Sequence, residues 1–134
     1  MVNIFLVNSE LLVTEPIITT AEKIEVVRDA LGISVSQLAK ILRTSRPTIY
    51  SWLEEEEPRM QAVQRIELIY ELAKKWLDMN PYHYAPGPLL RQRLGALPPL
   101  LEQMESEQLL PDEIEQSFIL ILELMQRKRD RMDR

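Results

Sequence analysis

The sequence predicts an all-α fold, and three observations carry that reading. Apolar residues recur at spacings of three and four through 20–31, 35–53 and 58–79, the period of a helix with one buried face. Glycine is scarce, 3 in 134 residues, and several of the 9 prolines fall between those periodic runs. That pattern belongs to helices stopped and restarted, not to a sandwich of short strands. Serine, threonine or proline opens the runs and Gly32 follows the first of them, which are boundary signals for helices.

Residues 1–18 stand apart. Val2–Val7 and Leu11–Val13 are β-prone but short, and read as an arm or as a short strand that pairs with a neighbour. Thr19 with Glu22 three residues on is a capping box. It opens a helix through Leu31 whose apolar face is Ala21, Ile24, Val27 and Leu31, closed by Gly32. Two short runs follow, Val35–Leu42 and Arg46–Trp52, parted only by Arg43, Thr44 and Ser45. Ser34 and Gln37 make a second capping box. Ser45 caps the other run, with Pro47 in its first turn where a missing N–H costs nothing. Leu38, Ala39 and Leu42 face Ile49, Trp52 and Leu53, with the small Ala39 where the helices touch. Helices this short persist only by burying such faces against each other. The unit is a helix-turn-helix, whose second helix ordinarily enters the major groove of DNA.

Leu38-Ala39, Leu42, Ser45, Thr48, Ile49 and Trp52, with the run SRPTIYSWL, resemble the phage-repressor (Xre/Cro-like) helix-turn-helix family over about residues 20–78. The resemblance implies a lambda-repressor-like DNA-binding domain over 19–79. It implies base contacts from Arg46, Pro47, Tyr50 and Ser51, and phosphate contacts from Ser34, Ser36, Lys40, Arg43, Ser45 and Thr48. The chemistry agrees with those roles. An arginine such as Arg46 pairs with a guanine edge. Hydroxyls and the N–H groups at helix starts hold phosphates, and Lys40 and Arg43 add sequence-blind, salt-dependent attraction. The chain departs from the family with Arg43 where a turn glycine is usual, Val35 in place of a glutamine, and Glu54–Glu57 where a glycine is common.

The four glutamates read as a solvated turn leading into the next helix, whose dipole favours acids near its start. No histidine stands nearby to make them a metal or catalytic site. Pro58 to Met79 predicts the longest helix, about 30 Å. Its stripe of Ala62, Ile66, Ile69, Ala73 and Trp76 is flanked by Val63, Tyr70 and Leu77. That is too wide for a coiled-coil seam, so it packs on the domain, with Trp76 in the core. Asn80-Pro81 and Pro86-Gly87-Pro88 mark a boundary, after which 80–134 form a helical extension for dimerisation or partner docking. Leu89–Leu94 and Leu100–Met104 read as two short helices. Pro111 starts the last helix, acidic at its beginning and basic at its end, in the order the macrodipole prefers. Residues 118–125 are apolar nearly all round and need cover on more than one side. Phe118, Ile121, Leu122 and Met125 are therefore a candidate surface for a second copy or another protein. The alternative folds 118–125 back onto 66–77 of the same chain.

Net charge is −5, yet 33–53 hold Lys40, Arg43 and Arg46 and no acid, and 127–134 hold five cations against two aspartates. Distribution decides nucleic-acid affinity more than the total. With no cysteine, no glycine-rich phosphate loop, no metal-ligand spacing and a single histidine, His83, nothing points to an enzyme, a metal or another cofactor. No apolar run reaches the roughly 18 residues of a membrane span. The N-terminus is a poor signal peptide, so a cytoplasmic protein is expected. The sequence thus reads as a sequence-specific transcriptional regulator that binds double-stranded DNA as a dimer, with helix 46–54 in the major groove. The alternative is an antitoxin-like or adaptor module for a protein partner, keeping the helix-turn-helix as scaffold. The glutamate run, Val35 and the apolar last helix favour that alternative.

Overall fold

A computed structural model describes residues 18–132 of the chain. The arm or strand expected over 1–18 lies outside the described residues, apart from Ile18, and so does the end of the basic tail. Among the described residues there are six α-helices and one 3-10 turn, and no strand.

Helix α1 (Thr20–Leu31) begins on Thr19, which accepts from the Glu22 N–H while Glu22 accepts from the Thr19 N–H, completing the capping box. It ends on Gly32 at φ +62°, and a Cβ there would stand 3.3 Å from that of Ala85. Helices α2 (Val35–Ile41) and α3 (Arg46–Leu53) follow. Then comes α4 (Met60–Met79), 20 residues long. It starts two residues later than Pro58 predicts. Glu57, preceding proline, is disfavoured from helical angles, and Arg59 is still extended at ψ 158° with no side-chain cap on the helix. The glutamates therefore form an exposed turn, with Glu55 at φ +70°, and none of their side chains caps the start of α4.

Helix α4 is the spine. Its Ile66, Ile69, Ala73 and Trp76 are buried against Ile24, Val27 and Leu31 of α1 and against the C-terminal elements. Trp76 is fully buried and its indole N–H donates to the Ala30 carbonyl at 2.9 Å. A buried indole needs such an acceptor to avoid a desolvation penalty. Beyond α4, the buried Asn80 side chain ties the 80–84 turn together through both the carbonyl and the N–H of Tyr84.

The helix expected over Leu89–Leu94 is instead a 3-10 turn, Gly87–Arg91, followed by a single bridge between Leu94 and Leu97. Pro88 removes a donor at its start and Gly95 turns the chain at φ +66°, leaving too little chain for α-helical bonding. Helix α5 (Leu100–Glu105) and helix α6 (Pro111–Met132) complete the fold. Leu90, Leu100, Met104, Ile114, Phe118 and Ile121 belong to one cluster of buried side chains with those of α1 to α4. The Trp76 and Phe118 rings meet at 5.4 Å, and Lys75 pairs with Glu115 at 2.6 Å to join α4 and α6.

Two residues of the expected partner surface are thereby corrected. Phe118 and Ile121 are 0% exposed within the chain itself, because α6 folds back onto α4 and finds its cover there. Leu122 and Met125, on the flank of α6, are half-buried against the same core. No helix among the described residues is long and apolar enough to cross a membrane.

Candidate nucleic-acid interface

The turn between α2 and α3 is built from the backbone. Thr44 N–H donates to the Ala39 carbonyl at 2.9 Å and Arg43 N–H to that of Lys40 at 3.1 Å. This closure puts Arg43 at φ +56°, where a side chain other than glycine costs on the order of 1 kcal/mol. Ser45 then caps α3, accepting from the Thr48 N–H at 3.3 Å, and its hydroxyl meets that of Thr48 at 2.9 Å. Ser34 caps α2 through Gln37 in the same way. The five helix-turn-helix core positions, Leu38, Ala39, Leu42, Ile49 and Trp52, are all buried.

With that side of α3 packed inward, the opposite side faces out. Arg46 and Pro47 are exposed and Tyr50 is 47% exposed, uncommon for a tyrosine on a helix with an available core. Ser51 is half-buried, and its carbonyl accepts from the N–H groups of Glu54 and Glu56, closing the helix. The structure thus brings Arg46, Pro47 and Tyr50 to one open face and leaves Ser51 at its margin.

The expected phosphate contacts divide similarly. Ser34, Ser36, Lys40 and Ser45 are exposed, while Thr48 is half-buried. Arg43 is exposed, but its guanidinium donates to the Glu105 carbonyl at 3.0 Å. Lys40, Arg43 and Ser45 also share a shallow crevice with Glu105. Glu105 of the C-terminal region thus borders two of the three cations of the helix-turn-helix and meets Arg43 through its backbone carbonyl.

Arg65 has no counterpart in the sequence reading. From the middle of α4 its guanidinium donates to three backbone carbonyls, those of Ile41 at 2.9 Å, Met104 at 2.7 Å and Glu107 at 3.0 Å. It fastens the end of α2 to α5 and to the loop before α6. Burial, and then the neighbouring charge of Arg43, hold its pKa below the ordinary arginine value. No local pattern could have revealed it, because all three acceptors are 24 or more residues away.

The span from α1 to α3 is a three-helix unit whose last two helices form the helix-turn-helix. Residues 18–57 match the homeodomain-like domain family. The match covers α1 to α3 and stops before α4: the chain carries a helix-turn-helix domain near its N-terminus, similar over those residues to the homeodomain-like family, and a helical extension follows it. The narrower resemblance to Xre/Cro-like repressors is not part of that match. Neither a curated protein nor a solved structure matches the chain.

Proposed function

We propose that the protein is a sequence-specific DNA-binding regulator that lays α3 in the major groove and acts as a dimer on paired half-sites. The observation that carries this is the free outer face of α3, where Arg46, Pro47 and Tyr50 are exposed on a helix braced from behind by Ile49 and Trp52. Arg46 reads a guanine edge, and Tyr50, one turn on, meets the neighbouring base or a thymine methyl. Lys40, Ser36, Ser45 and the N–H groups at the starts of α2 and α3 hold phosphates and set the register. Binding-site selection from random duplex DNA, at two salt concentrations, tests the reading. A pseudo-palindrome is the expected product, since a two-fold dimer reads two related half-sites. Failure to enrich any sequence at low salt would refute it.

A second reading, an interaction module of the antitoxin-like or adaptor kind, is favoured by one feature at the far end of the chain. Leu89, Leu124 and Met125 line an open groove of 630 Å3 with Lys128 and Arg131 among its lining residues. Apolar walls beside cations suit a protein partner, and capture of such a partner independently of DNA would shift the weight to this reading.

A further inference from the structure

A crevice of 820 Å3 runs between α3 and the start of α4, and Arg43, Arg59 and Arg65 all line it. None of the three is in an ion pair among the described residues. Arg65 spends its donors on backbone carbonyls and Arg43 spends one, while no hydrogen bond among the described residues engages the Arg59 side chain. Like charges that share a crevice without forming ion pairs repel one another, and the half-burial of Arg65 adds to the cost. Burial first, and then the charge of Arg43, lower the pKa of Arg65, so the two arginines feel each other in the crevice. Beside the arginines stand the hydroxyl-bearing Thr44 and Thr48, and Trp52 supplies an apolar wall. Two acids, Glu57 and Glu107, complete the lining.

That combination selects a ligand with two kinds of group. A phosphate satisfies the fork-shaped donors of arginine better than any point charge. Carboxylates at the same rim repel a continuous polyanion such as a DNA strand, but accept hydrogen bonds from hydroxyl or amino groups. The volume lies within the range of small-molecule sites. We propose that this crevice binds a small phosphate ester of nucleoside-monophosphate size, its phosphate held by Arg59 and Arg43 and its hydroxyl or amino groups by Glu57 and Glu107. The site adjoins Thr48 on α3, so its occupancy bears directly on the helix that faces outward.

The test is calorimetric titration of the full chain with AMP, adenosine and inorganic phosphate in the absence of DNA. AMP is expected to bind one equivalent, with adenosine and phosphate each at least about tenfold weaker. Arg59→Gln, which removes a side chain with no hydrogen bond in the fold, is expected to weaken AMP at least about tenfold while the melting temperature stays unchanged. Absence of AMP binding at millimolar concentration overturns the proposal, as does an Arg59→Gln variant that binds AMP like the native chain. If AMP fails to bind while Arg59→Gln weakens a DNA duplex in a shift assay, the crevice serves a backbone phosphate and the proposal also falls. The titration contains no DNA, so its failure leaves the DNA-binding reading untouched.

Discussion

Arg65→Ala is predicted to be the most damaging single change among the exposed and half-buried cations. Three hydrogen bonds are lost at once, at 2.7 to 3.0 Å, and they join three separate elements, α2, α5 and the loop before α6. A hydrogen bond from a charged donor is worth about 1.5–3 kcal/mol when shielded. Arg65 is only half-buried, so solvent screening reduces each to about 1 kcal/mol. Relief of its repulsion with Arg43 takes a little more away. The remainder is about 2–3 kcal/mol, which for a chain of this size lowers the melting temperature by roughly 6–12 °C. Urea unfolding measures the same quantity through the midpoint, with an unchanged slope if the native state stays compact. Arg65→Lys separates charge from shape: one ammonium on a flexible stem cannot reach three divergent carbonyls, so it should recover no more than one bond's worth. A loss below about 0.5 kcal/mol for Arg65→Ala, or a lysine variant as stable as the native chain, would refute the stapling argument.

The remaining predictions concern the interface and the core. Arg46→Ala should cost about 1–3 kcal/mol in specific affinity and relax preference at one base position, read by competition shift assays with single-base variants of a selected site. Lys40→Ala should weaken all duplexes alike and lower the salt slope by about 1, seen in fluorescence anisotropy across a salt series. Phe118→Ala should cost about 3–5 kcal/mol in the isolated chain by opening a cavity beside Trp76. A variant that melted normally but lost self-association would return Phe118 to a partner surface. Gly32→Ala should destabilise by about 1–2 kcal/mol, since φ is +62° there and its Cβ would press on Ala85. A melting curve unshifted by this change would show that the cap relaxes freely.

The local elements were legible because their determinants are local. A threonine and a glutamate three residues apart specify the start of α1, and Ser45 with Pro47 specifies the start of α3, whatever the rest of the chain does. The core positions of the helix-turn-helix followed from helical spacing alone. What escaped reading was set by contacts distant in sequence. Residues 118–125 could be seen to need cover, but periodicity does not say whether a second chain or α4 supplies it. Burial of Trp76 against Phe118 decides that for Phe118 and Ile121. The start of α4 was misplaced because a proline at the first helical position and a proline before the helix look alike in sequence. Arg65 carried no signal: an isolated arginine on a helix reads as solvated, and only the fold brings three carbonyls to it.

The placement of Arg43 also bears on how affinity is shared between phosphate and base contacts. Its backbone occupies a left-handed conformation better suited to glycine, and its guanidinium is engaged by Glu105. A hydrogen bond from a charged group roughly offsets the backbone cost, so an arginine is tolerable here because α5 lies alongside. That contact takes one guanidinium donor and leaves the charge unpaired among the described residues, yet residues 33–53 hold only three cations in all. On the proposed reading, three cations neutralise few phosphates, which gives a shallow salt dependence and weak attraction to arbitrary DNA. For such a protein the distinction between one site and the bulk of DNA must come from base edges. Under that proposal the burden of recognition falls on the open face of α3, on Arg46 and Tyr50, and the base preference of Arg46→Ala is a sharper test than its overall affinity.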